Sequence, residues 1–118
     1  MTDPPNREAR HQGRTRAFNE WIEAANESMG FHTGTDPFRC ECGDGGCGHP
    51  VDLTRAEYES VRSHSTRFIV ARNHENPESE QVIQENERFA TVETVTAEAT
   101  KLARRSDPGQ RRRERCWR

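Results

Sequence analysis

The sequence predicts a small α+β domain, on the evidence of a polar composition, one helical stripe of apolar residues and several short β-rich runs. Its 118 residues suit a single domain. Only 30% of them are hydrophobic and 32% are charged, so the buried core must be small. A chain this polar has little apolar surface to offset the entropy lost on folding. An internal cross-link would therefore help it to fold.

The chain divides into three parts by composition. Residues 1–15 lack hydrophobic periodicity and contain two adjacent prolines, so we expect a flexible lead-in there. Residues 16–107 carry the periodic segments and are expected to form the folded domain. Residues 108–118 read as a basic tail with a charge of +4, whereas residues 19–107 hold nine basic and seventeen acidic residues, a charge of −8.

A helical pattern begins at Arg16. Apolar residues recur at the i, i+3, i+4, i+7 and i+11 spacing of one helix face. They are Phe18, Trp21, Ile22, Ala25 and Met29. We interpret the stripe as facing the core, with a partner-binding face as the alternative. Gly30 is the expected stop, and residues 32–37 are expected to form a loop.

The rest of the domain alternates short strands with two helices. Thr54 and Glu57 form a capping-box pattern that predicts a helix from Arg55, fading near residues 63–65. Runs rich in β-branched and aromatic residues predict the strands, and alanine and leucine spacing predicts a final helix. The strands are predicted at residues 38–42, 51–53, 67–71, 80–84 and 88–95, and the last helix at 96–106.

A cysteine cluster stands out in the stretch FRCECGDGGCGHP. Cys40, Cys42 and Cys47 have the spacing C-x-C-x4-C, and the glycines between them permit the sharp turn that would bring three sulfurs to one point. The N-terminus has no apolar leader and no segment reaches the ~18 apolar residues of a membrane span, so we expect a cytoplasmic protein with reduced thiols. Clustered cysteines there more often bind Zn²⁺ than pack or form a disulfide, and structural sites have four protein ligands.

The fourth ligand is less constrained by the sequence. His49 lies only two residues after Cys47, which would make a very tight chelate. His74 follows the strand at 67–71, and ligation from that loop would tie the cysteine hairpin to the rest of the domain. We favour His74, with His49, Cys116 or a water molecule as alternatives. The remaining histidines are expected on the surface: His11, His32 and His64.

The cysteine spacing resembles the post-SET segment of histone-lysine methyltransferases, in which three cysteines hold zinc with a fourth ligand from elsewhere in the chain. A closer resemblance is to a family of small uncharacterised actinobacterial proteins without an established activity. It rests on FNEWIE, on FRCECGDGGC and on the run from VDLTRAEYES to ENERFATVE. A histidine after the strand recurs in that family, so the resemblance implies the ligand set Cys40, Cys42, Cys47 and His74.

Catalysis is not expected. Glu41 and Asp44 could be proposed as a general base beside the metal, but three thiolates make zinc a poor Lewis acid and the chain has none of the common catalytic motifs. The function that we expect is a non-enzymatic, zinc-stabilised module that binds another protein in a regulatory role.

Nucleic-acid binding is the alternative. The tail could neutralise phosphates and stack on a base, but the acidic body is the opposite of the basic face that a groove reader needs. The tail residues concerned are Arg111, Arg112, Arg113, Arg115 and Trp117.

Overall fold

A computed structural model of the protein describes residues 4–29 and 34–107, with side chains over 7–26 and 34–107. The described part has three helices and two small antiparallel sheets, so the predicted mixed α+β class is confirmed. The elements in chain order are α1 (Pro4–Met29), β1 (Thr35–Arg39), β2 (Pro50–Thr54), α2 (Arg55–Arg62), β3 (Arg67–Val70), β4 (Glu80–Glu85), β5 (Ala90–Thr94) and α3 (Ala97–Arg105).

Helix α1 begins much earlier than the sequence predicts. It starts at Pro4, so the segment expected to be a flexible lead-in is helical from that residue onward. Proline is well tolerated in the first turn of a helix, where its missing N–H would have no helical partner. The expected stop at Gly30 lies outside the described residues.

The buried face of α1 is polar. Gln12, Arg16 and Asn19 are buried, whereas Phe18 is 41% exposed and Trp21 is 65% exposed. The prediction that the aromatic stripe faces the core is therefore wrong for both aromatic residues, although Ile22 packs partly against the core. The reason is that the surface facing α1 consists largely of backbone carbonyls and a buried carboxylate, which hydrogen-bond polar side chains rather than aromatic rings.

Strands β1 and β2 pair antiparallel, with Phe38 opposite Val51. Strand β1 begins at Thr35 and ends at Arg39, three residues earlier at each end than predicted. The expected loop over 32–37 is thus wrong from Thr35 onward. The shift has a consequence for the cysteines, because all three lie in the connecting loop, residues 40–49, rather than in a strand.

Helix α2 forms where the capping pattern predicts it. The Thr54 side chain accepts a hydrogen bond from the Glu57 N–H at 3.1 Å, and the Glu57 carboxylate accepts one from the Thr54 N–H at 2.8 Å. These two bonds satisfy backbone donors that the first helical turn leaves open. The helix ends at Arg62 with Ser63 as its C-cap, at the near edge of the end predicted around residues 63–65.

The second sheet has the strand order β3-β5-β4, antiparallel throughout. The predicted hairpin between β4 and β5 is confirmed, with an irregularity between Val82 and Gln84. Asn86 stabilises the turn by accepting hydrogen bonds from the N–H groups of Arg88 and Phe89. Thr96 caps α3 by accepting a hydrogen bond from the Ala99 N–H at 3.1 Å.

The core lies between the two sheets and α2. The rings of Phe38 and Tyr58 stack at a centroid distance of 4.2 Å, and Leu53 and Ile69 are fully buried beside them in the same cluster. The outer edge of β3 is paired with the cysteine loop, because Glu41 N–H donates to the Ile69 carbonyl at 2.8 Å. The loop is thus attached to the second sheet as well as to the first. None of the described helices combines the length and the apolarity that a membrane crossing requires.

Candidate metal centre

Four potential ligand atoms converge at the cysteine loop. The sulfurs of Cys40, Cys42 and Cys47 and a ring nitrogen of His74 all lie within 4.8 Å of one another. Cys40 directly follows β1, Cys42 and Cys47 lie further along the same loop, and His74 lies in the loop after β3. The structure therefore brings together the four residues that the sequence singles out as candidate ligands.

The spacing of these atoms suits a tetrahedral metal ion. His74 Nδ1 lies 3.6 Å from Cys40 Sγ and 3.6 Å from Cys47 Sγ. With metal–sulfur bonds of about 2.3 Å and a metal–nitrogen bond of about 2.0 Å, the sulfur–nitrogen edge of a tetrahedron is about 3.5–3.6 Å long. The donor set also matches, because thiolate and imidazole ligands are those of structural zinc. The residues present thus fit a zinc ion.

The loop between the ligands is held by a tight turn and a close approach to α1. Gly43 has φ +82°, and a Cβ added there would lie 3.2 Å from both the Cβ and the carbonyl oxygen of Glu8. Cys47 N–H donates to the Asp44 carbonyl at 3.0 Å, and Gly46 N–H donates to Asp44 Oδ1 at 2.9 Å. The Asp44 carboxylate is therefore used in shaping the turn.

Burial raises the pKa of the Cys40 thiol, while the Ala71 N–H, which donates to its sulfur at 3.2 Å, acts in the opposite direction. Burial also raises the pKa of Cys42, against a hydrogen bond from the backbone of Asp44. Because a metal binds thiolates, an ion entering this site must displace these protons. The backbone N–H groups already aimed at the sulfurs would help to stabilise the thiolate charge.

His49 lies next to the cluster but outside it. Its ring centroid is 5.6 Å from that of His74, its side chain is exposed, and the converging group within the described ranges does not include it. Its backbone carbonyl accepts a hydrogen bond from Cys40 N–H at 3.0 Å, which closes the base of the loop.

Of the other histidines the structure describes His11 and His64. His64 is exposed, as expected, but His11 is half-buried. His32, Cys116 and the tail residues Arg111, Arg112, Arg113, Arg115 and Trp117 lie outside the described residues.

Glu41, between two of the cysteines, is fully buried and points into the fold. Its carboxylate accepts hydrogen bonds from Asn19 Nδ2 at 2.8 Å and from Ile69 N–H at 3.0 Å. Burial raises the pKa of Glu41, and the nearby Arg62 guanidinium acts against this shift. Both carboxylate oxygens are engaged, so Glu41 joins α1, the loop and β3. The C-x-C spacing could have indicated that Glu41 is buried, because consecutive side chains of an extended chain point to opposite sides. If Cys40 and Cys42 face a metal ion, Glu41 between them faces the other way.

Two polar side chains of α1 secure the loop from the other side. Asn19 donates to the Arg39 carbonyl at 2.9 Å and accepts from Arg39 N–H at 2.8 Å, in the manner of an extra strand. Gln12 donates to the Glu41 carbonyl at 3.1 Å. Sequence reasoning missed both residues, because Asn and Gln on a helix normally indicate the solvent face.

No protein-family model, curated protein or solved structure matches this chain. The resemblance to a small actinobacterial family therefore stays a prediction. The case for a function rests on the geometry of the site and on the surface around it.

Proposed function

We propose that this protein is a non-enzymatic module whose fold is held together by one Zn²⁺ ion bound to Cys40, Cys42, Cys47 and His74, and that the folded module binds another protein. The observation that carries the proposal is the convergence of these four ligand atoms within 4.8 Å. They come from two loops, and His74 is 27 residues from the nearest of the cysteines.

A structural rather than a catalytic role is supported by what surrounds the site. Four protein ligands complete a tetrahedral shell, whereas a catalytic zinc ion keeps one position for water or substrate. The two acidic residues of the cysteine loop, Glu41 and Asp44, already accept hydrogen bonds that shape the fold. Neither is poised as a general base, and this favours a closed site.

The energetics also favour a folding role. The loop at residues 40–49 contains glycines and polar residues but no aliphatic side chain to bury. Structural zinc contributes on the order of 10 kcal/mol of apparent binding energy. That is comparable to the whole stability of a small domain, about 5–15 kcal/mol. Through His74, the ion would join the loop to the second sheet.

A protein partner is supported by the outer face of α1. Phe18 and Trp21 are adjacent there, with ring centroids 5.9 Å apart, and the Arg39 guanidinium lies 5.0 Å from the Phe18 ring. Tryptophan and arginine are enriched among the residues that contribute most to protein–protein binding. An exposed aromatic pair beside an arginine is therefore the surface on which we place the partner, in a regulatory role.

The metal is tested first. Elemental analysis of the purified full-length chain should find one zinc per molecule, and a strong chelator should abolish the far-UV circular dichroism of the folded domain. Cys42→Ala should be unfolded in the same assay. A metal-free chain that keeps its dichroism and a cooperative thermal transition would overturn the structural role of zinc.

The partner is tested separately. A binding protein captured from cell extract should be identified, purified and titrated against the wild type, Trp21→Ala and, as a control on the same helix, Arg14→Ala. We expect Trp21→Ala to lose binding and Arg14→Ala to keep it, with little dependence on salt. Steep weakening with salt would instead favour the phosphate-binding alternative.

A further inference from the structure

A groove of about 440 Å³ lies between α1, α3 and the loop that leads into β4, next to Cys42. Its lining is mixed: Ala99 and Leu102 of α3 contribute apolar surface, and every charged residue that lines it is acidic. The acidic residues are Glu8, Glu78, Glu80 and Glu98. A groove with this lining suits a basic segment that also carries apolar surface.

Two of the four acidic side chains, Glu8 and Glu80, accept hydrogen bonds from neutral groups. Glu80 is only 4% exposed, and its carboxylate accepts from Asn76 N–H at 2.8 Å and from the Gln12 side-chain amide. Glu8 accepts from the Asn76 side-chain amide at 2.7 Å. Glu78 and Glu98 are exposed, so their carboxylates are accessible to an incoming cationic segment.

We infer that the groove is the docking site for the C-terminal segment of this same chain, residues 108–118. That segment carries five arginines, one glutamate and Trp117, a charge of +4 that complements the groove. The apolar surface of Ala99 and Leu102 would receive the tryptophan or the arginine stems. The inference goes beyond the proposed metal site and requires only that the domain is folded, which under the proposed function means the zinc-loaded protein.

The position of the chain end makes this docking feasible. Leu102 lines the groove and Asp107, the last described residue, is held by Arg62 and Ser65. Asp107 lies five positions after Leu102, so their Cα atoms are at most about 18 Å apart even for a fully extended chain. The six peptide steps from Asp107 to Arg113 can span about 20 Å when extended. The arginines at 111–113 can therefore return to the groove.

Docking would also affect the alternative function of the tail. Arginines bound to the groove carboxylates are not available to phosphate groups. The acidic groove and a nucleic acid would then compete for the same residues.

The test is ¹⁵N relaxation of the tail in the full-length protein, with the double variant Glu78→Lys/Glu98→Lys. Both residues are exposed in the structure. Glu87→Lys, an exposed site in the β4–β5 turn, is the charge-matched control. We expect order parameters of residues 111–115 closer to the rigid value of about 0.85 in the wild type and the control, and below about 0.6 in the double variant.

Because Glu98 lies in the first turn of α3, the milder pair Glu78→Gln/Glu98→Gln is measured as well. This pair should also lower the order parameters of residues 111–115, and it adds no positive charge that would repel the arginines. Equal order parameters in the wild type and both double variants would overturn the inference. Order that disappears on dilution would also overturn it, because the occupant would then be the tail of a second molecule.

Discussion

Asn19 of α1 donates a hydrogen bond to the carboxylate of Glu41 at 2.8 Å, at the residue between two of the candidate metal ligands. The same carboxylate accepts from Ile69 N–H of β3 at 3.0 Å. Through these bonds the cysteine loop, the first helix and the second sheet meet at one buried charge. The docking of α1 and the geometry of the candidate metal centre are therefore coupled, although the helix contributes no ligand.

Asn19→Ala should destabilise the protein by about 2–3 kcal/mol, because it removes two hydrogen bonds to the Arg39 backbone and one to the buried carboxylate of Glu41. Urea unfolding followed by circular dichroism measures the change. Arg14→Ala, on the exposed face of the same helix, should stay within about 0.5 kcal/mol of the wild type. Equal stability of the two variants would show that Asn19 does not hold the loop.

Gly43→Ala should be costly and Gly45→Ala close to neutral. Gly43 combines φ +82° with a close approach of Glu8, whereas a Cβ at Gly45 meets nothing within 4 Å. A non-glycine residue in the left-handed region costs about 1 kcal/mol or more before any clash is counted. Thermal unfolding of the two variants, with zinc in excess, gives the comparison. A similar transition temperature for both would contradict the turn geometry described here.

His74→Ala should weaken zinc binding by more than about 100-fold, since loss of a mere hydrogen-bond partner of a ligand already costs 10–100-fold. His49→Ala should leave zinc affinity nearly unchanged, because its ring lies beside the cluster rather than in it. Competition with a chromophoric chelator measures both affinities. If His49→Ala lost zinc and His74→Ala retained it, the assignment of the fourth ligand would be reversed.

Glu57→Gln should lower stability at neutral pH but not at acidic pH. Hydrogen bonds from Arg88 lower the pKa of Glu57 below its usual value of 4.5, so the stabilisation is fully present above pH 4.5 and is lost as the pH falls through the lowered value. Glutamine can retain the capping box through its amide oxygen, but its NH2 group replaces the oxygen that accepts from Arg88 Nη2, so the substitution removes the ion pair with Arg88. Unfolding free energies measured at several pH values should converge at low pH. The same substitution at Glu87, an exposed site, should show no such convergence.

The locally encoded features were predictable from the sequence. The Thr54–Glu57 capping box, the β4–β5 hairpin and the final helix each depend on residues a few positions apart, and all three are observed. The cysteine spacing likewise indicates convergence, because a short glycine-rich loop can hardly keep three sulfurs apart. Even the choice of His74 follows from its place at the end of a predicted strand.

What surrounds helix α1 was not predictable in this way. Arg16 is fully buried, with its guanidinium 4.5 Å from the Phe68 ring centroid and donating to the carbonyls of Ser65 and Ala103. Burial lowers the pKa of Arg16 to about 10. Periodicity identifies an apolar stripe, but it does not report what the opposite surface offers. Here that surface offers carbonyl oxygens and an aromatic face, which bind a guanidinium better than they pack a second ring.

By itself, therefore, the sequence determined the local elements and the convergence of the three cysteines, because hydrogen bonds and chain geometry over short separations specify them. It favoured His74 over His49 as the fourth ligand. Only the tertiary structure decided which face of α1 is buried, which aromatic residues are left to solvent, and that Glu41 is a buried link between α1, the cysteine loop and β3. Those outcomes depend on partners 20 to 90 residues away along the chain, whose positions exist only once the chain has folded.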